Sequence, residues 1–140
     1  CALAATPACA SMQVGDTRVE NPIVAARTLD QRAYAALHAY AAVIEEATDT
    51  VRDPAAPVGF KRALGQAERV ATPAAETLQI AVASYVRARA DFEAASGETQ
   101  PTLERAATAL TIAARRLNEA LAAAEAPIAE LEDLVRARRG

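Results

Sequence analysis

From Pro101 onward the apolar positions recur every seven residues in two interleaved tracks. One is Leu103, Leu110, Leu117, Ala124 and Leu131; the other is Ala107, Ala114, Leu121, Ile128 and Val135. A seam sustained over about five heptads predicts coiled-coil-like helix packing. The helix carrying it, 101–139, would be about 58 Å long at 1.5 Å per residue. Such a seam cannot be buried by one helix, so the pattern requires others. Leu29, Ala33, Leu37, Tyr40, Ile44, Ala47 and Val51 form an apolar stripe at spacings of three and four, which predicts a helix over about 28–52. Thr28 and Gln31 supply a capping box at its start; Asn21 before Pro22 allows an earlier one. Pro54 and Pro57 close it, since proline donates nothing to the ladder.

A third stripe, Leu64, Ala71, Leu78, Tyr85 and Phe92, predicts helix over about 57–96. Thr72-Pro73 interrupts it without shifting its phase. One helix kinked near Pro73 fits that phase; two helices, the second started by proline behind a threonine cap, fit the local signal. Gly97 is expected to close this segment in the left-handed conformation. Pro127 likewise predicts a kink in the last helix rather than a stop.

Short connections between long helices predict antiparallel neighbours. The expected fold is all-α: an up-down-up three-helix bundle over residues 23–140, preceded by an extended tail over 1–22. Tyr34, Tyr40, Tyr85, Phe60 and Phe92 are its expected bulky plugs, because hydrophobic residues make up 52% of the chain yet aromatics only 4% and Trp is absent. Alanine fills much of the rest, which favours close helix approach and a thin core. On the last helix, Ala106, Ala109, Ala113, Ala120 and Ala123 widen the apolar face beyond the usual share. Either both other helices cover that surplus, or part of it is left for another protein.

Charge and motifs narrow the function. A net charge of −3 with interspersed signs does not make the basic stripe that nucleic acid requires. No apolar run reaches the length that spans a bilayer. The chain holds no GxGxxG, P-loop, HExxH, CxxC or GxSxG pattern, so no residue is nominated for catalysis. His38, the single histidine, has no acid three residues before it and no nucleophile signature around it. Glu45, Glu46, Asp49 and Asp53 crowd the C-terminal end of the first helix, while Lys61 and Arg62 open the second. Both placements oppose the helix dipole. Ion pairing across the hairpin is the expected resolution, with a docking patch for a partner as the alternative use of Glu45, Glu46, Asp49, Lys61 and Arg62. A carboxylate metal site is disfavoured, and no metal or other bound cofactor is expected.

The first residue is Cys1, followed by Ala2 and a small, polar stretch to Pro22. On that feature the chain resembles a mature bacterial lipoprotein. The resemblance covers one residue and its linker. It implies acyl and diacylglycerol groups on Cys1, and, with Ala2 rather than Asp behind it, sorting to the periplasmic side of the outer membrane. Two other readings of the start stand beside it: an arbitrary boundary, and a secretory-signal remnant ending at Ala8-Cys9-Ala10, which makes the protein secreted. Cys9 could pair with an unmodified Cys1 in an oxidising compartment. The functional expectation is a non-enzymatic, lipid-anchored accessory subunit docking on a larger membrane or envelope complex. A carrier holding a hydrophobic ligand between its helices is the alternative, followed by a phage or envelope structural protein.

Overall fold

The computed structural model describes the backbone of residues 11–14, 17–20 and 22–139, and the side chains of 28–138. Three long helices dominate it: α1 (Pro22–Arg52), α2 (Val58–Ala94) and α3 (Gln100–Arg139), with a 3-10 turn at Ala95–Gly97 between the last two. The helical part is all-α. Ahead of it, β1 (Ser11–Val14) and β2 (Thr17–Glu20) pair antiparallel, Met12 opposite Val19 and Gln13 opposite Arg18. The segment expected to be plain extended tether therefore contains a hairpin. Two residues separate the strands, Gly15 and Asp16, residue types that favour a tight hairpin connection.

α1 begins at Pro22, six residues before the expected capping box, which lies inside the helix. Proline opens a helix at no cost because the first N–H groups have no intrahelical partner, and no breaker stands between Pro22 and Thr28 to stop propagation. At the other end the prolines act as expected. Asp53 Oδ1 accepts a hydrogen bond from the Ala55 backbone N–H at 2.9 Å, turning the chain. Pro57, extended at φ −62° and ψ 142°, then caps α2, and its carbonyl accepts the first helical bond from Lys61 N–H at 3.0 Å.

α2 is one helix, continuous through Pro73, and α3 is continuous through Pro127. Packing supplies the reason: each missing ladder bond costs less than losing the buried stripe that runs in phase past the proline. Beside Pro73, Thr72 Oγ1 meets the Tyr40 hydroxyl at 2.7 Å and ties α2 to α1. Gly97 does not take the left-handed conformation. The turn closes instead by Glu98 N–H donating to the Ala95 carbonyl at 3.0 Å, a bond any residue at 97 permits.

The seam of α3 is buried from Leu110 to Val135 in the expected register. Leu110, Leu117, Ala124 and Leu131 have no exposed surface, and Leu121, Ile128 and Val135 are nearly as deep. Its first turns are only half-buried, at Leu103 and Ala107. The core falls into two clusters along the long axis. One gathers Ala33, Leu78, Val82, Tyr85, Leu110, Leu117 and Leu121; the other joins Val43, Ala47, Leu64, Ala71, Leu131 and Val135. Of the expected plugs, Tyr85 is fully buried, Tyr40, Phe60 and Phe92 are half-buried, and Tyr34 is exposed. Val51 is also exposed, while Val43, outside the expected stripe, is buried in the same cluster as Ala47.

Candidate functional site

The surplus alanine on α3 has a partly open fate. Ala113 and Ala120 are buried against α2, but Ala109 and Ala123 are exposed. They line a groove of about 790 Å³ that runs along the surface between α2 and α3. Thr77, Ile80, Ala81, Ser84 and Ala88 form its α2 wall; Ala109, Ile112, Arg116, Glu119 and Ala123 form its α3 wall. The alanines cause it. Side chains ending at Cβ cannot fill the space between two helix ridges, so a trough remains wherever alanine recurs at helical spacing on both sides. Ile80 stands on one wall 69% exposed and Ile112 on the other at 39%. Both isoleucines line the trough. Arg116 and Glu119 are exposed on the α3 wall, and neither makes an ion pair among the described residues.

A second trough of about 630 Å³, lined by Tyr34, Leu37, Val82 and Val86, lies between α1 and α2. The α2–α3 groove is bounded by described side chains throughout.

Where charge enters the interior, it is for packing. Asp30 is the one charged residue buried among the described residues, 6% exposed, and it accepts a hydrogen bond from Arg89 Nη1. The Arg89 guanidinium also lies 5.9 Å from the centre of the Tyr85 ring, within cation–π range. Asp30 Oδ1 and the Tyr85 hydroxyl have no hydrogen-bond partner among the described residues. Burial pushes the Tyr85 phenol from its ordinary 10.0 up to about 12, with the Asp30 charge adding to the rise and Arg89 opposing it. Asp30 was not legible as interior, although Tyr85 was. Asp30 occupies a polar position flanking the α1 stripe, and only the approach of Arg89 from α2 makes its burial tolerable.

The acidic end of α1 resolves differently from expectation. Asp53 pairs with Arg138 of α3, Oδ2 to Nη2 at 2.6 Å, rather than with Lys61 or Arg62. The Ala55 N–H holds the Asp53 carboxyl below its ordinary 3.8, slight desolvation opposes, and Arg138 and the more distant charge of Lys61 lower it further. Glu45, Asp49 and Arg62 are exposed, and Glu46 and Lys61 half-buried; Glu45, Asp49, Lys61 and Arg62 form no ion pair among the described residues. His38 is exposed. Among the described residues no group of three or more His, Cys, Asp or Glu side chains is placed to hold a metal ion. None of their helices is long and apolar enough to cross a membrane. Cys1 and Cys9, with the lipid attachment and the pairing expected of them, lie outside the described residues.

No protein-family model, curated protein or solved structure matches the chain.

Proposed function

We propose that this chain is a non-enzymatic helical assembly module that docks on protein through the α2–α3 groove. The carrying observation is the placement of Ile80 and Ile112, exposed on either wall of an alanine-floored trough, while the seam behind it is filled by Leu110, Leu117 and Leu121. A carrier would need its volume inside the bundle; here the volume lies on the surface, where another helix or helix pair can enter it. The groove walls are alanine, isoleucine, threonine and serine with one charge of each sign, chemistry suited to contact rather than group transfer.

The module is read as an up-down-up bundle. Asp30 with Arg89 and Tyr40 with Thr72 support α1 and α2 running in opposite senses. Arg32 with Glu125 and Asp53 with Arg138 support α1 and α3 running in the same sense. That course leaves the α2–α3 face turned away from α1. The accessory-subunit expectation is retained in this form.

A photo-crosslinking residue at Ser84 tests the reading in cells that make the protein. A protein adduct is expected from position 84 and none from the exposed Val58, and Ile80→Asp should abolish it. Solvent extraction that instead yields a stoichiometric hydrophobic small molecule, with no adduct, would establish the carrier.

A further inference from the structure

We infer that the partner fitting the α2–α3 groove is a second copy of this chain, related by a two-fold axis. The inference rests on the docking reading above. The groove is complementary to itself in both charge and size. Arg116 and Glu119 stand three residues apart on the α3 wall, opposite in sign and unpaired among the described residues. A two-fold axis running between the copies at right angles to α3, level with the midpoint of these two residues, sets Arg116 against Glu119 of the second copy and Glu119 against its Arg116. The same operation repeats every contact twice, as an isologous interface must.

The apolar positions follow the same axis. Ile112, the large side chain of the α3 wall, falls opposite Ala123 of the second copy, and Ala109 falls opposite its Ala126. With α2 antiparallel to α3, Ile80 lies beside the midpoint and meets Ile80 of the second copy. On α3 the large side chain thus enters a small-residue position, on α2 the two Ile80 side chains meet, and the four helices form an antiparallel four-helix core. The other face-to-face arrangement, α3 on α2, is disfavoured by charge. The α2 wall offers Thr77, Ile80, Ala81, Ser84 and Ala88, with no carboxylate for Arg116 and no cation for Glu119.

Size sets the strength. The strip from Ala109 to Ala126 is about 26 Å long at 1.5 Å per residue, and two neighbouring helices span about 20 Å. Each copy then contributes close to 500 Å², and the pair about 1,000 Å², the lower bound for a specific interface. A dimer of micromolar rather than nanomolar affinity follows.

Sedimentation equilibrium of the full chain tests this. At tens to hundreds of micromolar the mass should approach twice the 14.6 kDa of the chain, and fall towards one chain on dilution. Arg116→Glu and Glu119→Arg should each be monomeric, because each sets two like charges face to face twice. An equimolar mixture of the two variants should sediment as a dimer again, because every pairing across the axis then joins opposite signs. With Cys1 and Cys9 replaced by Ser, Ile80→Cys should form a disulfide-linked dimer on mild oxidation, and Val58→Cys should not. Unchanged circular dichroism melting of the dilute variants keeps misfolding out of the interpretation. A wild-type chain that stays monomeric throughout, or a variant mixture that fails to restore the dimer, overturns the inference. If the position 84 adduct forms with a protein of another mass while the purified chain is monomeric, docking stands and self-association falls. If no adduct forms either, both fall.

Discussion

Replacing Tyr85 by Phe should make the protein more stable. Tyr85 is fully buried, and its hydroxyl has no hydrogen-bond partner among the described residues. An unsatisfied buried hydroxyl forfeits its hydration without recompense, at a cost of about 1–3 kcal/mol. Phe keeps the ring, its packing on Leu110 and Val82, and its place under the Arg89 guanidinium. The void left by one oxygen returns part of the gain, so a net stabilisation of about 1 kcal/mol is expected, which raises Tm by about 3–5 °C for a domain of this size. The pH dependence gives a second, independent signature. The phenol titrates near 10.0 when unfolded and about 12 when folded, so between those values the unfolded chain has released a proton that the native one keeps. Raising the pH through that window favours unfolding. The contribution present below pH 10 is lost progressively up to 12, about 2–3 kcal/mol in all, and Tyr85→Phe should abolish that loss. Urea midpoints at pH 7 and pH 11 for both proteins measure the two effects. A variant less stable than wild type at pH 7 by 1 kcal/mol or more, or one that weakens just as steeply towards pH 11, would show that the hydroxyl is satisfied and the account of this cluster wrong.

Arg89→Met should cost about 3–5 kcal/mol by stranding the buried Asp30 carboxylate, while Asp30→Leu with Arg89→Met should recover most of that loss; denaturant melts of the two variants decide it. Leu117→Asp places a charge at a position with no exposed surface and should abolish cooperative melting, whereas Arg115→Ala, on the exposed face, should shift the midpoint by less than about 0.5 kcal/mol. Gly97→Ala should be stabilising by about 0.4–1 kcal/mol in urea melts, since a Cβ there meets nothing within 4 Å and φ is not left-handed. Intact mass of natively purified protein should exceed the polypeptide by the acyl and diacylglycerol groups expected on Cys1, and an unmodified mass removes that expectation.

The helices themselves were written in the periodicity. A seven-residue repeat from Leu110 to Val135 and its counterpart from Leu64 to Tyr85 can be buried on one face only, so α3 and α2 and their register followed without tertiary information. Pro54 and Pro57 acted locally, and the break between α1 and α2 fell where they stand. Boundaries set by competing local signals were less legible: Thr28 and Pro22 could each open α1, and nothing within a few residues of Gly97 distinguishes a left-handed cap from a 3-10 turn. The candidate site was visible only as a surplus. Sequence counted more alanine on α3 than one seam can use, yet which alanines stay uncovered depends on how closely α2 approaches and on the side from which α1 packs. Only the three-dimensional arrangement puts Ile80 and Ile112, thirty-two positions apart in the chain, on two walls of one groove. The same holds for Asp30, Tyr85 and Arg89. Burial of a charge is decided by the partner that meets it, and that partner comes from a different helix.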